Sequence, residues 1–293
     1  MKDGIRLLIY LAASVLLAAL LAPPIFWAAQ ALAAHQLFRF LVGFDFETFF
    51  HRALLVALLA LLWPFVRSIR IRNPRDLALE PNPRWMRDIL AGFLLAAIPL
   101  LCCGLLLLVL GVFSLRSSID WIDFLQLAGA SIAVPIIEET FFRGLVLGVL
   151  LKSGGRYIAI VLTSALFAIV HFLKAPERTS PVVNWLSGFA SIAHSFHQFA
   201  NPMLVSAAFT TLFLLGVILA DARARTRSLW LPIGLHAGWI FARGAFQALA
   251  RRQVIVLPWL GKNLLVGIVP LALAGLTWIL IRAWSKHVGT AKS

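Results

Sequence analysis

The chain has 293 residues, of which 61% are hydrophobic and only 13% are charged, and its net charge is +14. Soluble domains are about 45–50% apolar and about 25% charged, so this composition excludes an ordinary soluble protein and indicates a membrane protein. The Lys and Arg residues lie between hydrophobic runs, where they indicate membrane orientation and contact with anionic lipid rather than nucleic-acid binding.

Apolar runs of roughly the 20 residues that cross a bilayer as a helix recur along the chain, and unbroken runs argue against barrel strands. The first run continues past Pro23 and Pro24, where we expect a kink, and is therefore too long for a cleaved signal peptide. Eight spans are predicted, at residues 7–34, 47–66, 88–114, 123–150, 156–173, 202–220, 228–249 and 263–284.

Two longer polar connections separate these spans. Residues 67–87 are rich in arginine, and residues 185–199, within the connection 174–201, are interpreted as an amphipathic helix at the interface. With no repeat in the sequence, the pattern predicts an all-α polytopic protein forming one integral membrane domain, 1–293. The excess of Lys and Arg on one side predicts that both termini lie in the cytoplasm. The expected location is the plasma (inner) membrane.

Five ionisable side chains lie within three of the predicted spans: Glu138, Glu139 and Arg143, then His171, then His236. A charge at the bilayer centre costs about 2.5–3.5 kcal/mol on insertion scales, so such residues indicate a functional site. Glu139 and Arg143 are four residues apart and can pair on one helix face, while Glu138 is rotated from Glu139 by about 100°. The spacing predicts one working carboxylate and one supporting ion pair.

The depths of these groups can be compared along antiparallel spans. Glu138 is fourteen residues from Lys152, and His171 is fifteen from Arg156, or roughly 21 Å and 22 Å along a helix. These two side chains are therefore expected at the same level. His236 lies closer to the end of its span and fits this level less well.

A carboxylate and an imidazole can activate water for peptide hydrolysis, directly or through a divalent metal, and a second imidazole can donate to the oxyanion. Three other interpretations stay open. The Glu139–Arg143 pair can simply join helices, the histidines can form helix–helix hydrogen bonds only, and Glu138 with His171 can relay protons in a transporter.

The remaining polar groups are given structural interpretations. Adjacent Cys102 and Cys103 are interpreted as small core residues. His194 and His197 lie in a polar connection and are interpreted as solvated. The group Asp221, Arg223, Arg225 and Arg227 is interpreted as a cytoplasmic anchor.

Three motifs of a known family occur in the chain in the family's order. They are Glu-Glu-x-x-x-Arg at Glu138, Glu139 and Arg143, Phe-x-x-x-His at Phe167 and His171, and a later histidine at His236. On these residues the chain resembles the CAAX prenyl endopeptidase type II and bacteriocin-processing intramembrane proteases, often grouped with the Abi proteins. The resemblance covers about residues 120–245 and leaves the spans within 1–115 as accessory.

The resemblance implies an intramembrane endopeptidase of about eight spans with its site in a polar cavity. Glu138 and His171 would activate the attacking water, Glu139 with Arg143 would orient the site, and His236 would stabilise the oxyanion. The implied partners are a peptide or protein substrate, membrane-associated or lipidated (CAAX-like), and membrane lipids. The family has been described both as metalloproteases and as metal-independent glutamate proteases.

Two points therefore stay open at the level of sequence. Either Glu138, His171 and His236 hold a divalent metal such as zinc, or the reaction needs no cofactor. Many family members have Asn or Asp four residues after the last histidine, where this chain has Ile240, which neither donates nor ligates. That departure leaves an alternative function, a non-enzymatic Abi-like immunity or scaffold protein that retains the polar site.

Overall fold

The computed structural model describes residues 2–77, 79–172, 182–200, 202, 205–253, 259–260 and 267–290 and is almost entirely helical there. The α-helices are α1 Lys2–Ala34, α2 Phe46–Ser68, α3 Trp85–Val109, α4 Trp121–Glu139, α5 Leu147–Ser153, α6 Arg156–Phe172, α7 Ser187–Ser195, α8 Thr210–Thr226, α9 Trp230–Leu249 and α10 Ile268–Thr290. Short 3-10 turns lie at Arg39–Gly43, Pro74–Leu77 and Phe196–Ala200, and π-helical segments lie at Thr140–Val146 and Val205–Phe209.

Helices occupy most of each predicted span, and many of their ends agree with the predicted boundaries within a few residues. α1 continues as a helix through Pro23 and Pro24. Each proline lacks an N–H and removes one intrahelical hydrogen bond, but proline is tolerated in membrane helices where neighbouring groups compensate. Within the connection 174–201, the predicted helix is present as α7, followed by a 3-10 turn.

Four helices among the described residues are long and apolar enough to cross a membrane: α1, α2, α3 and the Ile268–Ser285 part of α10. The chain is therefore an integral membrane protein, whereas the prediction of about eight spans is not confirmed. α8 has only 17 residues. α9 carries His236 and Arg243 among its apolar residues, and such polar groups lower the mean hydropathy of a helix.

A two-stranded antiparallel pairing was missed by the all-α prediction. Strand β1, Phe113–Leu115, pairs with β2, Ala250–Arg252, with Phe113 opposite Arg252. The pair joins the chain just after α3 to the chain just after α9. Strands of three residues are too short to show the alternation of polar and apolar residues by which strands are predicted.

The helices group into two compact units, the first comprising Met1–Arg72 with His171–Val205 and the second Asn73–Val170 with Ser206–Ser293. In the first unit, α1, α2 and α7 pack through small residues such as Ala19 and Ala53, with Phe50 in the same core. A Cβ at Gly188 on α7 would clash with the carbonyl oxygen of Ala19, so these backbones are in close contact. That the units form one membrane domain remains a prediction.

In the second unit, α3 and α9 are packed backbone against backbone. Three glycines at this contact leave no room for a Cβ: Gly92 on α3, and Gly234 and Gly238 on α9. Each of them faces a backbone carbonyl oxygen of the other helix. Small residues in this small-xxx-small spacing permit close approach of membrane helices. The contact fixes α9, and hence His236, which lies between the two α9 glycines.

The turn between α8 and α9 contains a strained residue that gives a stability prediction. Arg227 has a left-handed conformation, φ +51° and ψ +30°, which costs a non-glycine residue about 1–2 kcal/mol. We expect Arg227→Gly to be more stable than Arg227→Ala by about 1 kcal/mol, measured by unfolding in detergent. Both variants lose the exposed ion pair of Arg227 with Glu80, so equal stability of the two would contradict the prediction.

Candidate active site

A change of helix type follows the two adjacent glutamates. Glu138 and Glu139 end α4, and the π-helical segment Thr140–Val146, which carries Arg143, follows directly. Within it the N–H of Leu147 donates to the carbonyl oxygen five residues back, at Phe142. The sequence had predicted a plain helix over 123–150. Such π-turns are rare and often lie at functional sites.

Glu139 and Arg143 form a fully buried ion pair. Arg143 Nη1 donates to Glu139 Oε1 at 2.9 Å, and Arg143 Nη2 donates to the carbonyl oxygen of Gly216 on α8 at 3.3 Å. The guanidinium also lies over the ring of Phe167 on α6, 4.2 Å from its centroid. Arg143 therefore contacts both α8 and α6 and has its charge balanced by Glu139.

His236 joins this pair from α9. Its Nδ1 is 2.8 Å from Glu139 Oε1, the oxygen that also accepts from Arg143, and its Nε2 is 3.9 Å from Glu138 Oε2. Since a carboxylate accepts, Nδ1 carries the proton in this contact. The imidazole is thereby held with its other nitrogen towards Glu138.

The two glutamates differ in accessibility. The side chain of Glu139 is fully buried, whereas that of Glu138 is 26% exposed and that of His236 is 10% exposed. Among the described residues, Glu139 Oε2, Arg143 Nε and Thr163 Oγ1 are buried without a hydrogen-bond partner. Glu139 and Arg143 thus retain hydrogen-bonding capacity beyond the contacts that hold the cluster together, which is uncommon in a purely structural polar network.

Comparison with known proteins bears on this cluster. Residues 120–242 match the family model described as Type II CAAX prenyl endopeptidase Rce1-like. The resemblance to this family is thereby confirmed over these residues, which we call the Rce1-like region. The family match supports the interpretation of the chain as a protease. The region begins at the N-cap of α4 and ends within α9, so it contains all three motifs. No curated protein and no solved structure gives a match to the chain.

His171 lies in the Rce1-like region as the residue before the end of α6, and it is partly buried. It belongs to the first compact unit, whereas Glu138 and His236 belong to the second. Its predicted approach to Glu138 therefore remains a prediction. Phe167, four residues earlier on the same helix, lies in the second unit, with its ring centroid 6.1 Å from that of His236.

Metal binding by Glu138, His171 and His236 was one of the two open alternatives. No group of three His, Cys, Asp or Glu side chains in the described part of the chain is arranged to hold a metal ion. Glu138 and His236 supply two donors, and the His236–Glu139 contact resembles the outer-shell support that histidine ligands commonly have. These two donors alone do not complete a metal site.

The side chains of Asp221 and Arg223, two members of the predicted cytoplasmic anchor, are buried within the protein, and the cytoplasmic location of this group stays a prediction. Asp221 accepts hydrogen bonds from Arg225 at 2.8 Å, from Trp278 at 3.0 Å and from Arg156 at 3.2 Å. Their position in the sequence could have indicated burial, because both residues continue α8 beyond the predicted end of its span and alternate with alanines.

The other interpreted positions need little revision. His194 and His197 are exposed, as expected for solvated side chains. Cys102 is exposed and Cys103 is partly buried, so Cys102 is not a core residue. Ile240 is partly buried on α9, one turn beyond His236.

Proposed function

We propose that this protein is an intramembrane endopeptidase that hydrolyses peptide bonds in membrane-associated or lipidated substrates, including CAAX-like peptides. The main support for this proposal is the arrangement of the candidate active site. An accessible carboxylate, Glu138, lies beside a buried network in which Glu139 joins Arg143 and His236, and the Rce1-like region contains all of them.

Glu138 is the general base in this proposal, together with His171. The water oxygen attacks the substrate carbonyl carbon while a water proton passes to the Glu138 carboxylate. His171 is assigned to this step as the histidine of the Phe-x-x-x-His motif, which lies in the Rce1-like region. The phenylalanine of the same motif, Phe167, packs against both Arg143 and His236.

His236 stabilises the oxyanion. In the imidazolium form both ring nitrogens donate, Nδ1 to Glu139 and Nε2 to the oxygen that becomes negatively charged as water attacks. The tetrahedral intermediate then collapses with cleavage of the C–N bond, and Glu138 returns its proton to the leaving amine. Ile240 adds no donor, so His236 bears this role without help from the position one turn later.

Glu139 and Arg143 orient the other groups rather than contact the substrate. Their burial and the shared oxygen Glu139 Oε1 hold the imidazole in one orientation, as a carboxylate does for the histidine of hydrolytic triads. The proposal also includes the fold of about eight spans that the resemblance implies. It further includes the single membrane domain and the cytoplasmic termini that the sequence pattern and the Lys and Arg distribution predict.

The test replaces Glu138 by its neutral isostere. We expect Glu138→Gln to lower kcat by about 100- to 10,000-fold, the usual contribution of general base catalysis. Cleavage is measured with reconstituted protein and a panel of prenylated and unmodified peptides that end in a CAAX sequence. Glu80→Gln is the matched control, because Glu80 is an exposed glutamate paired with Arg227.

The second variant of this test is His171→Ala, with the same assay. Retention of wild-type cleavage by both Glu138→Gln and His171→Ala would reject the mechanism, and failure of the wild-type protein to cleave any peptide of the panel would count against the substrate class. Metal content of active samples, with a chelator control, decides between direct and metal-assisted activation of water.

A further inference from the structure

Arg223 is a buried cation that the mechanism above does not use. Its side chain is almost fully buried, at 1% exposure, near the C-terminal end of α8. Its Nε donates to the carbonyl oxygen of Arg143 at 3.1 Å, and its Nη2 donates to the carbonyl oxygen of Leu77. Both partners are backbone oxygens, and no carboxylate among the described residues pairs with it. Such burial of a charge is costly unless it serves a specific contact.

The contact with Arg143 has a clear origin in the helix geometry. In an α-helix the carbonyl oxygen of Arg143 would accept from the N–H of Leu147, four residues later. In the π-segment that N–H donates instead to Phe142. Buried carbonyl groups require a partner, and Arg223 Nε donates to this one. Arg223 therefore supplies a side-chain donor at the place where the helix widens.

The second contact ties the same guanidinium to a separate turn. Leu77 ends the 3-10 turn Pro74–Leu77 and packs against Gly148 on α5, where an added Cβ would lie 2.9 Å from the Leu77 Cβ. One side chain thus links α8, the π-segment and this turn. Two backbone carbonyls bound by one planar guanidinium have a fixed separation, because its donors form a rigid fork.

We propose that Arg223 is a positioning residue of the candidate active site: by binding the Arg143 carbonyl oxygen it holds the π-segment that sets the directions of Glu138, Glu139 and Arg143. The effect of Arg223 on catalysis rests on the proposed function. Its effect on the structure of the π-segment does not. Arg223 touches none of the reacting groups and acts only through the backbone.

Hydrogen–deuterium exchange tests the structural part without a substrate. In Arg223→Met we expect the amides of 143–148 to exchange about tenfold faster or more, since a charge-assisted hydrogen bond is lost at this segment. The matched control is Arg225→Met, two residues later on α8, where the arginine pairs with Asp221 instead. Unchanged exchange at 143–148, or an equal increase throughout the second unit, would overturn the proposal.

Kinetics test the catalytic part. In Arg223→Met, kcat per folded molecule should fall at least tenfold with KM nearly unchanged, because substrate contacts are intact and only the alignment of the catalytic groups is lost. Arg223→Lys keeps the positive charge and can still donate to one of the two carbonyl oxygens. It should therefore lose less stability than Arg223→Met and recover part of kcat. Activity that falls only in proportion to the folded amount would show a merely structural arginine and reject the positioning role.

The two proposals fail in different ways. If Glu138→Gln keeps full cleavage, the proposed mechanism is rejected while the exchange result for Arg223 still decides whether it holds the π-segment. If Glu138→Gln is inactive and Arg223→Met exchanges like wild type at 143–148, the mechanism stands and the positioning role is rejected.

Discussion

Arg143→Met is expected to lower the free energy of unfolding by about 3–5 kcal/mol, the loss typical of breaking a buried ion pair. The variant leaves the Glu139 carboxylate, which is fully buried, with His236 as its remaining partner. It also removes the hydrogen bond to the Gly216 carbonyl and the packing of the guanidinium on Phe167. Denaturant unfolding in detergent measures the change.

Arg87→Met is the matched control for this prediction. Arg87 pairs with Asp88 at 3.0 Å, close to the 2.9 Å of the Arg143–Glu139 pair, but the Arg87 side chain is 41% exposed and only that of Asp88 is buried. Without Arg87 the Asp88 carboxylate keeps the hydrogen bond from Asn82 at 2.7 Å. The loss should therefore be about 1 kcal/mol, the upper end for ion pairs with exposed groups. The double variant Glu139→Gln with Arg143→Met should recover part of the loss, because it removes the uncompensated charge. Similar losses in Arg143→Met and Arg87→Met would contradict the burial argument.

Gly234→Ala is expected to lower kcat/KM by about 100-fold, the effect of a shift of about 1 Å in a catalytic group. A Cβ at this position would clash with the carbonyl oxygen of Ile89, so α9 must move away from α3. His236 is two residues further along α9 and would move with it, away from Glu139. Overpacking of this kind also costs about 1–3 kcal/mol of stability. Peptide cleavage and unfolding in detergent are measured on the same preparation.

The control for the glycine prediction is Gly275→Ala on α10. No described atom lies within 4 Å of a Cβ built at Gly275, so alanine should be neutral there or slightly stabilising, as in other helices. Wild-type kcat/KM in Gly234→Ala would show that the α3–α9 contact does not set the position of His236.

Much of the helical architecture could be predicted from sequence. Apolar runs of membrane length mark the helices because a spanning segment must satisfy its own backbone hydrogen bonds. The pairing of Glu139 with Arg143 follows in the same way from their four-residue spacing. The glycines beside His236 in the sequence permit close helix packing, and the structure has such packing between α3 and α9.

Other features could not be predicted from local pattern. The π-segment after Glu139 has no distinct residue signature, since its hydrogen bonds differ from those of an α-helix by a single register step. The burial of Arg223 depends on backbone oxygens 80 and 146 residues away in sequence. The run of charges therefore predicted a cytoplasmic anchor and gave no indication that Arg223 is buried. The β1–β2 pairing likewise depends on two distant three-residue segments.

The sequence by itself determined that this is a helical membrane protein and that carboxylates, arginine and histidines lie within its apolar segments. These conclusions follow from hydropathy and spacing, which act over a few helical turns. Only the tertiary structure decided that Glu139 is enclosed between Arg143 and His236 while Glu138 stays accessible. Adjacent identical residues differ in this way because burial and hydrogen bonding are set by the helices packed around them.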